Sequence, residues 1–250
     1  MLPVTSLPRN KRNPGRLQEL APVPPPWSRW LLIPPLAIIL ALGALIWETH
    51  RPPSTVDEVR LAGPRSPAAI SLVLFLDESG SFEGYDQVRR QTLESIMTWS
   101  QENLRPDDAL TVISFAGSAG TKVKTTTIAD LAAGRITPES PTVGGGTSVQ
   151  PALDLAGKTT LTNRTQSLIV LTDTIIDDAH EGPISDAMKS MNASSMSLII
   201  PDGLNVTREW EKVFPYELVI HAPADSADQG ALAIAKAAAH ATGQSLEKIR

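Results

Sequence analysis

Short apolar runs alternate with segments of helical periodicity along the chain from about residue 70 onward. The run Ser71–Leu76 leads into Asp77, and the run Ser167–Leu171 leads into Thr172 and Asp173. Each run is predominantly apolar and bounded by polar turns, which is typical of a strand buried on both faces. The pattern predicts strands over about 70–77, 109–116, 122–128, 167–172, 195–200 and 216–221, with helices over about 85–103, 148–158, 183–192, 206–213 and 228–242.

This alternation of strands and helices predicts the fold class. Strands that alternate with helices pair in parallel and receive helices on both of their faces. We therefore expect an α/β fold, with a Rossmann-like, doubly wound, mostly parallel sheet. The segment at about 122–128 is expected to be an edge strand.

Five short polar side chains lie where these strands end or where a glycine-rich loop begins. They are Asp77, Ser79, Ser81, Thr147 and Asp173. In an open α/β sheet the loops at the carboxyl ends of the parallel strands form the binding crevice, so Asp77 and Asp173 are expected at one edge. A ligand set made only of carboxylate and hydroxyl oxygens suits a hard divalent cation.

The sequence around these residues resembles a known family. Residues 77–81 read DESGS and match the DxSxS motif of the von Willebrand factor type A family, while Thr147 and Asp173 match its two later elements in order and spacing. The resemblance covers about residues 69–242. It implies a metal-ion-dependent adhesion site, in which the three hydroxyls bind Mg²⁺ directly and the two carboxylates bind it largely through water.

The implied site has a definite chemistry. It takes Mg²⁺, with Mn²⁺ or Ca²⁺ as alternatives, and its neutral hydroxyl ligands leave the cation able to accept a carboxylate from outside. The resemblance therefore implies capture of a partner protein through an Asp or Glu side chain. This is binding chemistry and not bond breaking, so we expect no enzymatic activity.

One position departs from the family pattern. The family usually has glycine after the second aspartate, and this chain has Thr174. A β-branched residue resists positive φ, so the local backbone is expected to differ if that turn requires φ > 0. Two structural alternatives also stand. In the first, Ser79 and Ser81 only cap the following helix, Asp77 and Asp173 only end strands, and residues 144–146 form an ordinary glycine turn. In the second, the fold is kept while the metal site is degenerate.

An uncharged apolar run precedes the domain. Residues 30–47 read WLLIPPLAIILALGALIW, and as a helix they span roughly 27 Å, just enough to cross a bilayer. Trp30 and Trp47 lie at its two ends, where aromatic side chains favour the headgroup region. This predicts a transmembrane helix. The alternatives are a signal peptide cleaved near residues 41–43 and a buried core helix, and the proline-rich flanks argue against the core helix.

Charge asymmetry predicts the orientation of that helix. Residues 1–29 hold five basic residues and one acidic residue, whereas the whole chain is net −5. By the positive-inside rule, the proline-rich tail over 1–29 stays in the cytoplasm and the domain over 69–250 lies outside. A proline-rich stalk over 48–68 is expected to join them. A short basic tail, one anchor and a domain without cysteine favour a bacterial cell membrane.

Composition and motifs weigh against several other classes of function. The part after the apolar run is net acidic and has no basic stripe interleaved with aromatic residues, so we expect no nucleic acid partner. The glycine run at 144–146 is not followed by Gly-Lys-Ser/Thr, so we expect no nucleotide. A Mg²⁺-dependent phosphotransferase or phosphatase using Asp77 is a weaker alternative, because such sites usually have a second aspartate where this chain has Ser79.

These observations give two functional hypotheses. The first is a single-pass membrane protein whose extracytoplasmic domain binds a protein partner through a Mg²⁺-bridged Asp or Glu carboxylate. Its specificity is expected from the loops at 80–85, 117–121, 142–147 and 174–182. The second is a scaffold or assembly subunit of a membrane complex with a structural or vestigial metal site. Asp177, Asp178 and His180 follow Asp173 closely and are interpreted as a second cation site, a shaped rim or a solvated acidic loop.

Overall fold

The computed structural model of the protein describes residues 38–39, 41–43, 47, 51–134, 136–159, 161, 163–178 and 180–249. The chain divides into two units, residues 1–52 and 53–250, and every strand described below belongs to the second. The predicted tail over 1–29 and most of the predicted transmembrane segment over 30–47 lie outside the described residues. Within the described part of the chain, no helix is both long enough and apolar enough to span a bilayer.

The strands form a six-stranded sheet and a separate two-stranded sheet. They are β1 (Val59–Ala62), β2 (Ile70–Asp77), β3 (Ala109–Phe115), β4 (Ala119–Thr127), β5 (Thr165–Leu171), β6 (Ala193–Pro201), β7 (Leu218–Ala222) and β8 (Ser245–Lys248). The large sheet has the order β4-β3-β2-β5-β6-β7, in which only β4 runs antiparallel to its neighbour. The small sheet pairs β1 with β8.

Helices cover both faces of the large sheet. They are α1 (Asp86–Asn103), α2 (Ile128–Ala132), α3 (Gln150–Thr159), α4 (Glu181–Ser190), α5 (Arg208–Val213) and α6 (Ala227–Thr242). Successive residues of β2 project to opposite faces. Leu72 and Leu74 pack in one hydrophobic cluster with α1 and α6, whereas Val73 and Phe75 pack in a second cluster with α3, α4 and α5. Both faces of these strands are buried, which explains why successive residues in the strand sequences are apolar.

The structure confirms the predicted α/β sheet and corrects the predicted stalk over 48–68. Val56 and Val59 are buried, and β1 extends the fold by pairing with β8. The indole Nε1 of Trp99 donates a hydrogen bond to the carbonyl oxygen of Val59 (2.9 Å). The folded unit thus begins at Pro53 rather than near residue 69. No local pattern indicates β1, because its partner strand lies at the other end of the domain.

Arg65, which also falls in the predicted stalk, is fixed to the domain by a buried ion pair. Its Nη1 and Nη2 atoms donate to the two carboxylate oxygens of Asp108 at 2.7 and 2.8 Å. Asp108 also accepts from the backbone N–H groups of Ile70 (3.0 Å) and Arg105 (2.8 Å). Burial acts to raise the pKa of Asp108, but these hydrogen bonds and the Arg65 charge outweigh burial and lower it below its ordinary value.

Candidate metal centre

The chain turns at the carboxyl end of β2, where Asp77 is 1 % exposed. Its Oδ1 accepts a hydrogen bond from the backbone N–H of Ser79 (2.9 Å), and its Oδ2 accepts one from the hydroxyl of Thr172 (2.7 Å). The hydroxyl oxygens of Ser79 and Ser81 lie 3.1 Å apart. The DESGS turn therefore brings one carboxylate and two hydroxyls together.

These two hydroxyls do not cap a helix. Ser79 precedes a short 3₁₀ helix, Gly80–Phe82, without forming a side-chain cap. Helix α1 begins after Tyr85, whose side chain also forms no cap. The structural alternative, in which the two serines only cap the following helix, is therefore wrong.

Asp173 reaches the same edge from β5, the parallel neighbour of β2. It is 6 % exposed, and its Oδ1 accepts a hydrogen bond from the backbone N–H of Ile175 (3.0 Å). The pKa of Asp77 is raised above its ordinary value mainly by burial, and the negative charge of Asp173 raises it further, although hydrogen bonds from Ser79 and Thr172 act to lower it. The two carboxylates thus lie close enough to repel each other.

Thr147 is brought to this edge by the loop that leads into α3. Its backbone N–H donates to Oδ2 of Asp177 (2.8 Å), and its carbonyl oxygen accepts from the backbone N–H of Asp177 (2.8 Å). The next residue, Ser148, donates its N–H to the carbonyl oxygen of Ala116 (2.6 Å), directly after β3. The loop is therefore held against the carboxyl ends of both β3 and β5.

Two acidic residues after Asp173, Asp177 and Asp178, accept backbone hydrogen bonds from the loop that leads into α3, which the sequence did not predict. Asp178 accepts hydrogen bonds from the backbone N–H groups of Val149 (3.0 Å) and Gln150 (2.8 Å), so it caps α3 from a different loop. Asp177 holds Thr147, as described above. His180 precedes α4 and forms no side-chain cap. Asp177 and Asp178 therefore fasten the Thr147 loop, and a pattern search along the chain misses this because donor and acceptor are far apart in sequence.

Close backbone packing also fixes the glycine-rich loop. A Cβ atom added at Gly117, in the turn between β3 and β4, would overlap the carbonyl oxygen of Gly145. Ser118 donates its N–H (2.8 Å) and its hydroxyl (2.9 Å) to the carbonyl oxygen of Val143. Glycine at position 117 is thus required by the approach of the two loops.

Thr174 keeps a left-handed backbone with φ of 64° and is 0 % exposed. We expected the backbone to differ here if the turn required positive φ, and that expectation is wrong, because the threonine itself adopts positive φ. Its N–H donates to the hydroxyl of Thr172 (3.0 Å). The departure from the family's usual glycine therefore leaves a left-handed turn in place after Asp173.

The donor set fits a divalent cation. Among the described residues neither Asp77 nor Asp173 forms an ion pair. The guanidinium of Arg89 donates to the backbone carbonyl of Asp77 (3.0 Å) and pairs with Asp86 (2.6 Å) instead. Buried carboxylates are normally paired with a cationic side chain or coordinate a metal. The described residues contain no group of three or more His, Cys, Asp or Glu side chains suited to a metal, so a site here relies on hydroxyls for its other ligands.

Comparison with known proteins identifies similar sequences and folds. Residues 72–175 match the sequence model of the von Willebrand factor type A domain family. No curated protein matches the chain. Among solved structures, one similar protein is proximal thread matrix protein 1 from the mussel byssus, with zinc in its metal-ion-dependent adhesion site (MIDAS) motif. It is 16 % identical with a TM-score of 0.52, and the match covers 76 % of this chain and 49 % of that one.

Two bacterial structures are also similar. The conserved hypothetical protein BatB from Bacteroides thetaiotaomicron is 20 % identical with a TM-score of 0.46, over 68 % of this chain and 99 % of that one. A von Willebrand factor type A protein from Catenulispora acidiphila is 18 % identical with a TM-score of 0.49, over 72 % of this chain and 49 % of that one. Residues 72–175 are thus similar in sequence to the von Willebrand factor type A family, and the chain shares its fold with the byssus protein.

Proposed function

We propose that the domain binds a divalent cation, Mg²⁺ in the first place, and uses it to capture an acidic side chain of a protein partner. The observation that carries this proposal is the pair of buried carboxylates, Asp77 and Asp173, which have no ion-pair partner among the described residues. They lie beside serine hydroxyls that do not cap a helix. Asp77, Ser79, Ser81, Thr147 and Asp173 would hold the cation. Mn²⁺ and Ca²⁺ are the alternative ions.

The residues of this chain divide the work in the proposed site. Asp77 and Asp173 supply the negative charge, and neutral donors, the Ser79 N–H and the Thr172 hydroxyl, orient Asp77 without cancelling that charge. The hydroxyls of Ser79, Ser81 and Thr147 add uncharged oxygen ligands. A bound cation would supply an incompletely neutralised charge that accepts a carboxylate oxygen from outside. We propose binding and no catalysis at this site.

The sequence extends this proposal to the cell membrane. The apolar run over 30–47 would anchor the chain as a single pass, with residues 1–29 in the cytoplasm and the domain outside. Exposed side chains on the loops beside the site, including Ile175, would then face a partner.

The first test is thermal unfolding of the purified full-length chain in EDTA and then in several concentrations of Mg²⁺ and Mn²⁺. Because a ligand that binds only the folded state stabilises it by mass action, saturation a hundredfold above Kd should add about 2.7 kcal/mol to the free energy of unfolding. We expect this metal-dependent rise in the wild type and not in Asp77→Ala. The control variant Asp107→Ala, which removes an exposed carboxylate before β3, should respond like the wild type.

A rise of equal size in Asp77→Ala would contradict the proposed site. No rise in any variant would favour the scaffold alternative, in which the fold is kept and the metal site is vestigial. If the metal effect is present, acetate added with Mn²⁺ should raise the unfolding temperature further, since it offers the carboxylate that a partner would provide.

A further inference from the structure

Thr174 holds an unusual conformation directly after a proposed metal ligand. Its φ of 64° lies in the left-handed region, where a β-branched residue is an outlier because its Cβ crowds the backbone. Such strain persists only where the surroundings over-determine the conformation. A rotation of Thr174 toward the right-handed or extended regions would turn the flanking residues, Asp173 and Ile175, away from their present positions.

Thr207 supplies the contacts that hold this conformation. The backbone N–H of Thr207 donates to Oγ1 of Thr174 (2.9 Å), and Oγ1 of Thr207 donates to the carbonyl oxygen of Thr174 (2.6 Å). Each of the two residues therefore contributes one side-chain hydroxyl and one backbone group to this pair of hydrogen bonds. We call this pair of hydrogen bonds the Thr174–Thr207 clasp.

The clasp is anchored in the hydrophobic interior. Thr207 is the N-cap of α5, and its Oγ1 accepts a hydrogen bond from the backbone N–H of Trp210 (3.3 Å). Trp210 is 0 % exposed, and its ring stacks on Phe214 with 4.1 Å between ring centroids. Thr207 is thus fixed by packing that is independent of the metal site.

The backbone of Thr174 is also connected to both carboxylates. Its N–H donates to Oγ1 of Thr172 (3.0 Å), and that hydroxyl donates to Oδ2 of Asp77 (2.7 Å). On the other side, the N–H of Ile175 donates to Oδ1 of Asp173 (3.0 Å). One backbone conformation therefore sets the orientation of carboxylates that come from two different strands.

We infer that Thr207 is a positioning residue for the candidate metal centre, because its clasp with Thr174 keeps the left-handed turn that orients Asp77 and Asp173. The inference deepens the proposed function and rests on it for the effect on metal affinity. The effect on the conformation of the turn does not require a metal.

The metal arm of the test uses Mn²⁺ alone, with free Mn²⁺ measured by electron paramagnetic resonance on the full-length chain. Thr207→Val removes the hydroxyl at nearly constant shape and should weaken Mn²⁺ binding about 10- to 100-fold, the usual effect of losing a residue that orients ligands. Thr207→Ser keeps the hydroxyl and should bind within about threefold of the wild type. Because glycine adopts φ near 64° without strain, Thr207→Val should cost less than about threefold when Thr174→Gly is also present.

A metal-free arm follows backbone hydrogen exchange in EDTA by mass spectrometry. Thr207→Val should raise deuterium uptake in peptides that cover residues 173–176, where the Thr174 and Ile175 amides are hydrogen-bonded, and should leave the β5 peptides unchanged. The increase should disappear in the Thr174→Gly background. Unchanged uptake in Thr207→Val, or the same increase in both backgrounds, would overturn the inference.

The two arms separate failure of the inference from failure of the proposed function. Wild-type protein that binds no Mn²⁺ but shows the expected exchange pattern would contradict the metal proposal and support the positioning role. Circular dichroism checks folding throughout. If Thr207→Val alone does not fold, the double variant with Thr174→Gly should, and an unfolded double variant would also count against the inference.

Discussion

Asp77 is buried beside a second carboxylate, yet both of its oxygens have hydrogen-bond donors. The donors to its two oxygens, the Ser79 N–H and the Thr172 hydroxyl, are neutral. Neutral donors stabilise a carboxylate without removing its charge, so the pKa of Asp77 stays raised by burial and by Asp173. The carboxylates of Asp77 and Asp173 and the hydroxyls of Ser79 and Ser81, which cap no helix, therefore meet at one point of the sheet edge. This combination of negative charge and neutral oxygen ligands favours a cation.

A single glycine decides whether the Thr147 loop can lie where it does. Gly117→Ala should destabilise the protein by about 1–3 kcal/mol, the usual range for overpacking, because the added Cβ overlaps the carbonyl oxygen of Gly145. It should also weaken Mg²⁺ binding, since the loop that carries Thr147 must shift. Urea unfolding in EDTA measures the first effect and metal titration the second.

The control for this substitution lies on the opposite side of the same contact. A Cβ at Gly145 would meet nothing within 4 Å, so Gly145→Ala should change the free energy of unfolding by less than about 1 kcal/mol. Equal destabilisation by the two alanines would show that the contact between Gly117 and Gly145 is not what fixes the loop.

The start of α3 depends on a residue outside the helix. Asp178→Ala should lower the free energy of unfolding by about 0.5–2 kcal/mol, as for loss of an N-cap, because the N–H groups of Val149 and Gln150 lose their acceptor. Asp178→Asn keeps one acceptor oxygen and should recover more than half of the loss. Urea unfolding of the three proteins checks this, and an asparagine variant as unstable as the alanine variant would contradict it.

Local sequence predicted the elements whose signal is local. Continuous apolar runs predicted β2 and β5 because both faces of these strands are buried, and the DESGS motif placed Asp77 at a strand end. The four-residue β1 was not predicted, since its partner β8 is distant in sequence. The cap of α3 by Asp178 and the clasp of Thr174 by Thr207 were missed for the same reason. The sequence thus identified the candidate ligands and left out the residues that hold them in place.

The ion pair between Arg65 and Asp108 joins the segment before β2 to the start of β3, so it connects distant parts of the domain. Asp108→Asn should destabilise the protein by about 3 kcal/mol at pH 7, because Arg65, whose side chain is 7 % exposed, loses its charged partner. The exposed neighbour provides a control, and Asp107→Asn should have almost no effect.

The same pair should make stability depend on pH. The folded-state pKa of Asp108 is lowered, so its contribution is present above the unfolded pKa of about 3.9 and is lost as pH falls through the folded value. The difference between the wild type and Asp108→Asn should therefore shrink as pH falls below about 4. Urea unfolding at pH 7 and at several values below pH 5 measures this difference. A constant difference across that range would contradict the assignment to Asp108.

Residues 53–62 belong to the cooperatively folded unit, and deleting them tests this assignment. A chain that starts at Gly63 loses Val56 and Val59, which are 2 % and 1 % exposed. Each should contribute about 1.5–3 kcal/mol through burial. The deletion also leaves the Trp99 Nε1 donor without its acceptor, at about 1–3 kcal/mol. We expect this chain to unfold at a much lower temperature than one that starts at Pro53.

The contribution of the unpaired indole can be separated from that of burial. In the chain that starts at Gly63, Trp99→Phe removes the orphaned donor and should recover part of the stability, whereas in the chain that starts at Pro53 the same change should only destabilise. Thermal unfolding of the four proteins gives both comparisons. If the two starting points unfold at the same temperature, residues 53–62 are a stalk after all, because buried strands that belong to a cooperative fold cannot be removed without loss.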